Sequence, residues 1–266
     1  MVQNALAAAP PGRRPRIWRE NALVLAGARA LAVGLALGAL EWAVQARLIS
    51  SFFVPPPSRV AQALAADLAD PAVWHDVGIT FRETAAAFAV AAAAGLALGY
   101  LLWRYRILGD AFDPILAGIF SSPIILLYPI FLVVFGRTEW AVIGQAVAYG
   151  ILPIALLTRQ ALGGVSPIYL RLARSLDVPA ARIFRHIQLP AAAPGIFTGL
   201  RLGLTYILIS IIAMEFIAQI GGLGRYVADS ALRFQTTSTY SGIALVVLLA
   251  VLFLSLTDRL ERKALR

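Results

Sequence analysis

The feature that most constrains the fold of this chain is a series of five or six apolar runs, each close to the length that crosses a lipid bilayer as a helix. A hydrocarbon core about 30 Å thick needs roughly 20 apolar residues in helical conformation. The runs occupy residues 23–44, 77–103, 111–135, 140–157, 195–217 and 240–256. Of the 266 residues, 60% are apolar and only 14% are charged, unlike soluble domains. The sequence therefore predicts an all-α, polytopic membrane protein with about six transmembrane helices.

Prolines interrupt two of these runs. Pro114, Pro123 and Pro129 lie in the third run, and Pro153 lies in the fourth. Proline is tolerated in a membrane helix where neighbouring helices or polar side chains satisfy the carbonyl groups that it leaves free. We therefore expect the helices to pack as a bundle that lines an internal space.

The basic residues predict the orientation of the chain. Fifteen of the 23 Lys and Arg residues fall on the side that carries both termini. Five fall on the opposite side, Arg47, Arg59, Arg137, Arg225 and Arg233, and three lie in or beside spans, Arg29, Arg82 and Arg201. Because cytoplasmic loops collect Lys and Arg, both termini are predicted to be cytoplasmic. The net charge of +9 would suggest nucleic-acid binding in a soluble chain, but here it follows from topology.

The predicted organisation has three parts. Residues 1–22 are expected to form a cytoplasmic amino-terminal segment, residues 23–258 the transmembrane domain, and residues 259–266 a cytoplasmic tail. The first apolar run is longer than the core of a cleaved signal peptide, roughly 7–15 residues, so we expect it to remain as the first span. Residues 54–70 predict a short external helix capped by Ser58.

Several chemistries lack the residues that they need. The chain has no Cys, and its only Lys is Lys263, so neither a thiolate metal site nor a Walker-type phosphate loop is present in the sequence. With His75 and His186 as the only histidines, we predict no metal site and no catalytic residue. We therefore expect a chain without its own ATPase site. An intramembrane enzyme is one alternative, but neither histidine falls within a span, where a nucleophile would need its base.

The segment between the fourth and fifth runs, residues 159–194, is too long for a turn and too apolar to be disordered. Residues 168–176 and 179–187 predict two short helices, and Leu189-Pro190 is expected to end the second. We expect this hairpin on the cytoplasmic side, where Phe184 would fill a groove of a partner protein and arginines would orient it. The candidate coupling residues are Arg174, Asp177, Val178, Pro179, Ala180, Ala181, Arg182, Ile183, Phe184 and Arg185.

This segment resembles the signature loop of ABC importer permeases, EAA-x3-G-x9-I-x-LP. The matching positions are Arg171-Leu172-Ala173, Asp177, Ile187 and Leu189-Pro190, at the same spacing. Arg171 stands where the family usually has Glu, and Asp177 stands where it usually has Gly. Glycine adopts a left-handed backbone freely, and Asp adopts it less readily but better than most residues. In this family the loop is a coupling helix that inserts into a separate ATPase subunit.

Other stretches resemble the nitrate, sulfonate and taurine branch of these permeases. They are residues 53–58, 113–136 and 189–201, and Glu215 followed by Gly222-Leu223-Gly224. The resemblance implies the type I ABC importer permease fold and a location in the inner membrane of a bacterium. It also implies a permease dimer, most simply of two identical copies, with two ATPase subunits that bind ATP and Mg and an external solute-binding protein.

Polar residues within the spans are candidates for contact with a solute. They are Ser121, Ser122, Tyr128, Gln145, Tyr149, Thr205, Tyr206, Ser210 and Glu215. The alternative for each is a hydrogen bond that packs helices together. We favour Ser121-Ser122-Pro123, because Pro123 lacks an N–H and leaves a carbonyl free near two hydroxyl groups. Glu215 lies near the outer end of its span, as either an interfacial carboxylate or part of an outer gate.

Three further features are expected to be structural. Arg201 is expected to snorkel to the membrane surface or to brace a loop rather than to bind a substrate. Arg82 and Glu83, as chain neighbours, are expected to find separate partners. Residues 221–224 predict a flexible external turn.

The leading hypothesis is an ABC importer permease that carries a small anionic solute such as a sulfonate, nitrate or taurine by alternating access. An ATP-independent secondary transporter or channel is the second alternative. Such proteins usually show internal symmetry and ionisable relays deep in their spans, and the sequence displays neither.

Overall fold

The computed structural model describes residues 16–264, and every regular element in that range is helical. The all-α prediction is therefore confirmed for this part of the chain. Residues 1–15 of the predicted amino-terminal segment and residues 265–266 of the predicted tail lie outside the described residues. The helices are α1 (Arg16–Gln45), α2 (Pro57–Asp67), α3 (Pro71–Arg104), α4 (Arg106–Ser121), α5 (Tyr128–Phe135), α6 (Glu139–Gly163), α7 (Pro167–Ser175), α8 (Ala180–Ile183), α9 (Leu189–Ala218), α10 (Gly222–Leu232) and α11 (Thr236–Ala264).

The chain divides into two compact units after Val60. In the first unit, Glu41 near the end of α1 accepts hydrogen bonds from the Ser58 N–H (3.0 Å) and the Ser58 hydroxyl (2.7 Å). The predicted short helix is present, but it begins at Pro57, so Ser58 lies within it. The prediction that Ser58 caps this helix was wrong, because its hydroxyl binds Glu41 instead.

Five helices in the described part of the chain are long and apolar enough to cross a membrane. They are Gly27–Gln45, Pro71–Arg104, Glu139–Gly163, Ala180–Ala218 and Thr236–Lys263. The sixth predicted span is divided: α4 and the stretch from Ile124 to Phe135 meet at an angle of 85°. That stretch consists of a 3-10 turn, Ile124–Leu127, and α5. The prediction of about six spans is thus confirmed, with the third one broken at Pro123.

The core of the second unit lies where α6 packs between α3 and α9. Ala87 and Ala91 of α3, Ile154 of α6, and Ile207 and Ile211 of α9 are all fully buried there. Small residues let the backbones approach closely, as is usual for helices packed in membranes. At Gly99 of α3 a Cβ atom would lie only 2.6 Å from the Ala155 carbonyl oxygen of α6.

Ion pairs join neighbouring helices near their ends. Arg159 of α6 binds Asp110 (2.7 Å) and Asp113 of α4. Arg82 of α3 lies 4.0 Å from Glu139 of α6 and does not pair with its chain neighbour, as expected.

Arg201 of α9 binds two acids of α11. Its guanidinium lies 2.6 Å from the Asp258 carboxylate and 2.5 Å from that of Glu261. Arg201 therefore pairs with a neighbouring helix and not, as was expected, with a loop.

Candidate functional site

The segment that resembles a coupling loop forms two helical pieces, α7 and α8, as predicted. A π-helical turn, Phe184–Gln188, then connects α8 to α9 without a break. The expectation that Leu189-Pro190 ends the second helix was wrong. Leu189 donates its N–H to the Phe184 carbonyl, five residues back. This wider turn places Pro190 in the first turn of α9, where the missing N–H of proline does little harm.

Asp177 ends α7 in a left-handed conformation, with φ of 55°. The Asp177 N–H binds the Arg174 carbonyl and the Val178 N–H binds the Ala173 carbonyl, both at 3.1 Å. These two bonds form a Schellman motif, the usual helix ending at a left-handed residue. The backbone that glycine would adopt freely is therefore present here, at a cost to Asp of roughly 1–2 kcal/mol.

Phe184 packs against its own chain. Its ring stacks on Trp103 of α3, with centroids 5.7 Å apart and planes inclined by 29°, and meets the edge of Tyr100 at 5.5 Å. Ile183 beside it is only 6% exposed. The prediction that Phe184 forms an exposed docking tip was therefore wrong. The periodicity of α8 identifies an apolar face, but that face lies against α3.

The other candidate coupling residues lie at the surface. The exposed ones are Arg174, Asp177, Pro179, Ala180, Ala181, Arg182 and Arg185, and Val178 is half-buried. Four of them, Arg174, Ala180, Ala181 and Arg185, line an open cavity of about 1320 Å³ between the ends of α3 and α6 and the α7–α8 segment. Five arginines and one aspartate line this cavity, Arg104, Arg106, Arg159, Arg174, Arg185 and Asp110. The surface is consequently basic and suits a partner with acidic groups.

The two serines at the break of the third span cap the end of α4. Pro123 has no N–H for the Ile119 carbonyl, but Ser122 binds that carbonyl through its N–H (3.1 Å) and its hydroxyl (2.7 Å). The Ser121 hydroxyl binds the Ala117 carbonyl at 2.8 Å. The expectation of a free carbonyl beside two hydroxyls was therefore wrong, because Ser122 binds the Ile119 carbonyl that Pro123 leaves without its usual donor.

Two of the polar candidates, Tyr149 of α6 and Tyr206 of α9, lie together, with ring centroids 4.8 Å apart. Phe120 of α4 joins them, 4.9 Å from Tyr206 and 6.4 Å from Tyr149. The side-chain amide of Gln145, one turn from Tyr149, donates to the Ile125 carbonyl at 3.3 Å. The structure thus brings three helices together in an aromatic cluster beside the broken span. Sequence reasoning missed Phe120, which is one apolar residue among many in that run.

The remaining hydroxyl candidates do not join this cluster through any hydrogen bond in the described residues. The Thr205 hydroxyl binds the Arg201 carbonyl of its own helix at 3.0 Å. Ser210 is fully buried, and its hydroxyl has no hydrogen-bond partner among the described residues. Tyr128 is half-buried against the α3–α6–α9 core.

Glu215 lies in a separate buried site. Its carboxylate accepts hydrogen bonds from the Thr80 hydroxyl of α3 (2.8 Å) and from the Gly224 N–H of α10 (2.7 Å), and it is 0% exposed. The alternative of an interfacial carboxylate was therefore wrong. The chain passes so close at Gly222, where φ is 73°, that a Cβ atom would lie 2.1 Å from a Glu215 oxygen.

Residues 221–224 begin a buried helix. Gly222, Leu223 and Gly224 form the first turn of α10 and are all buried, so the predicted flexible external turn was wrong. Sequence reasoning also missed Thr80, since nothing in the sequence links it to a residue so far along the chain.

Comparison with known proteins agrees with this architecture. Residues 89–266 match the family described as binding-protein-dependent transport system inner membrane component. The taurine transport system permease protein TauC of Escherichia coli is 27% identical over 211 residues, which are 77% of each chain. The nitrate import permease protein NrtB of a Synechocystis species is 30% identical over 60% of this chain and 58% of its own.

Two further similarities extend the comparison. The putative aliphatic sulfonates transport permease protein SsuC of Bacillus subtilis is 24% identical over 96% of this chain and 90% of its own. A chain of the inward-facing MetNI methionine ABC transporter superposes with a TM-score of 0.59 over 73% of this chain and 95% of that one, at 23% identity. The predicted type I ABC importer permease fold and the resemblance to the nitrate, sulfonate and taurine branch are confirmed. This chain belongs to the family of binding-protein-dependent transport system inner membrane components.

Proposed function

We propose that this chain forms the translocation pathway of an ABC importer and is driven by separate ATPase subunits. The proposed assembly has two ATPase subunits, which bind ATP and Mg, a second copy of this permease, and an external solute-binding protein. It lies in the inner membrane of a bacterium, with both termini of the permease in the cytoplasm. The excess of basic residues on the side of the termini supports this orientation.

The observation that carries the proposal is the continuity of the coupling segment with a core helix. Residues Ala180–Ala218 run as one helical path from the exposed α8 into the buried face of α9. A displacement of α8 by an ATPase subunit would therefore be transmitted along α9 without an intervening flexible loop. Since α9 packs on α6, the two helices would move together and open the pathway alternately to each side.

The solute is proposed to be a small anion such as a sulfonate, nitrate or taurine. The relatives reported above are named as permeases for taurine, nitrate or aliphatic sulfonates, and each of these solutes contains an oxyanion group. The hydroxyls of Tyr149 and Tyr206, both half-buried, are uncharged donors for such a group. Uncharged donors suit a pathway, because a solute must bind well enough to enter and weakly enough to leave.

Charge reversal at the coupling surface tests the proposed ATPase contact. We expect Arg182→Glu to weaken co-purification of the cognate ATPase subunit roughly tenfold or more, since it places a like charge against an acidic partner. Arg233→Glu is the matched control, because it changes an arginine at the end of α10, which follows the opposite end of α9, a 30-residue helix about 45 Å long. Equal co-purification with both variants, or solute transport by the permease alone in liposomes, would contradict the proposal.

The aromatic cluster is tested by removing single hydroxyl groups. We expect Tyr149→Phe and Tyr206→Phe each to reduce uptake while leaving the amount of assembled complex unchanged. Thr257→Val is the control, because the Thr257 hydroxyl binds carbonyl groups of its own helix α11, at 2.8 and 3.2 Å. Ser122→Val provides a further comparison: unchanged uptake and solute-stimulated ATPase activity would assign the Ser122 hydroxyl to helix capping alone.

A further inference from the structure

Two buried carboxyl groups meet between α3 and α9. Glu83 is 2% exposed and Glu215 is 0% exposed. Thr80, whose hydroxyl binds Glu215, lies one helical turn before Glu83 on the same face of α3, which brings the two carboxyl groups within hydrogen-bonding reach of each other. Two carboxylates in contact within a protein interior repel strongly, because little water is present to screen the charges.

The two carboxyl groups have unequal surroundings. Glu215 accepts from the Gly224 N–H and from the Thr80 hydroxyl. The Thr80 oxygen itself accepts the Leu223 N–H at 2.9 Å, which leaves the single hydroxyl hydrogen for Glu215. By contrast, the Oε2 atom of Glu83 is buried and has no hydrogen-bond partner in the described part of the chain. Donors stabilise the charged form of a carboxyl group, so Glu215 is suited to be the anion and Glu83 is not.

Two charged side chains close to the pair have opposite effects on the charge of Glu83. On the α6 side, Glu139 acts on Glu83 against the positive charge of Arg82. Arg82 and Glu139 lie 4.0 Å apart and are themselves partly exposed. Their effects on the charge of Glu83 therefore offset each other.

The other nearby arginines have partners of their own. Arg225 of α10 binds Asp76 of α3 (3.0 Å) and Asp229 (3.1 Å). Arg137, before α6, donates to the Ala218 carbonyl at the end of α9 (2.6 Å). Within residues 16–264, neither arginine forms an ion pair with Glu83 or Glu215, so neutralisation has to come from another source.

We propose that Glu83 and Glu215 form a proton-binding site. One proton is held on Glu83, whose O–H donates to the ionised carboxylate of Glu215. This arrangement removes one of the two negative charges and lets Glu83, whose Oε2 atom has no partner in the described residues, make a hydrogen bond as a donor. The inference is independent of which solute is carried and of how the ATPase subunits dock.

The proposal predicts different outcomes for the two glutamates. Glu83→Gln keeps a donor toward Glu215, and we expect the complex to assemble with transport within about twofold of the unmodified protein. Glu215→Gln turns an anion that holds two donors into an amide, so the contact of α9 with α3 and α10 is weakened and assembly falls.

Infrared spectroscopy of the purified complex in lipid nanodiscs measures the proton directly. We expect a carboxylic acid C=O band at neutral pH that shifts in D₂O, disappears as the pH rises, and is absent from Glu83→Gln. Glu261→Gln, which changes an acid of α11 that pairs with Arg201, is the control and should retain the band.

Three results would overturn the proposal. The first is the absence of such a band from the unmodified protein, which requires no variant to fold. The second is an equal band in Glu83→Gln. The third is loss of the band on adding Na⁺ at constant pH, which would make the pair a site for a metal cation.

Discussion

Phe184, in the turn that joins α8 to α9, stacks on Trp103 at the carboxyl-terminal end of α3, with ring centroids 5.7 Å apart. The contact fixes the coupling segment to a helix that is distant in sequence. The side chain of Gln188 adds a second attachment, donating to the Leu162 carbonyl of α6 at 3.1 Å. The exposed Arg182 of α8 and Arg185 of the following turn therefore lie on a segment that two core helices hold in place.

Removal of the Phe184 ring should destabilise the permease. We expect Phe184→Ala to lower the free energy of unfolding by about 2–3 kcal/mol, less than for a fully buried ring because this one is half-buried. Thermal unfolding of the purified permease in detergent measures the change. Ile168→Ala, at a site 63% exposed on α7, is the control and should leave the melting temperature almost unchanged. Equal melting temperatures for both variants would show that the stacked contact contributes little.

A methyl group at Gly222 should disrupt the Glu215 site. The new Cβ atom would lie 2.1 Å from a Glu215 oxygen, and the φ of 73° is unfavourable for alanine. We expect Gly222→Ala to cost about 2–4 kcal/mol of stability, measured by denaturant or thermal unfolding. Gly118→Ala, where nothing lies within 4 Å of the added atom, should be neutral or slightly stabilising. A normal melting temperature for Gly222→Ala would mean that α10 can shift without loss.

The ion pair between Arg201 and Glu261 can be measured by a double-mutant cycle. Both side chains are partly exposed, at 45% and 24%, so we expect a coupling energy of only about 0.5–1 kcal/mol. The cycle uses Arg201→Gln, Glu261→Gln and the double variant, with unfolding free energy as the measurement. Additive effects of the two single changes would indicate that the contact does not brace α9 against α11.

Tyr226 should produce a stability change at alkaline pH. Burial, and then a hydrogen bond to Asp67, raise the pKa of Tyr226 to about 12. Because the folded protein favours the neutral phenol, Tyr226 contributes to the free energy of unfolding. This stabilisation is fully present below the ordinary pKa of about 10 and is lost as the pH rises toward 12. Absorbance of tyrosinate measures the ionisation. The component near pH 12 should vanish in Tyr226→Phe and persist in Tyr169→Phe, and its persistence in both would contradict the assignment.

The helices were predictable from the sequence because each signal is local. A span needs only its own length and apolarity, and the coupling hairpin needs only Pro179 and the spacing around Asp177. The left-handed conformation of Asp177 also follows from a local rule, since one position in the signature requires it.

Contacts between distant residues were not predictable in this way. The apolar spacing that identifies Phe184 is the same whether the ring faces a partner or α3. Similarly, Glu215 alone does not reveal that Thr80 and Gly224 supply its donors. The angle at Pro123 depends on how Ser121 and Ser122 satisfy the last carbonyl groups of α4, which the presence of proline leaves open.

The 85° change of direction between α4 and the stretch that follows it gives the protein two unlike sides in a bilayer. Acyl chains offer no hydrogen-bond donors or acceptors. A straight helix can lie against them because its backbone groups bind one another, but an interrupted backbone cannot. Peptide groups around residues 122–127 therefore require water or polypeptide next to them. Lipid tails therefore have to be kept away from the side of the protein that contains this bend. The uninterrupted spans can remain in contact with the hydrocarbon.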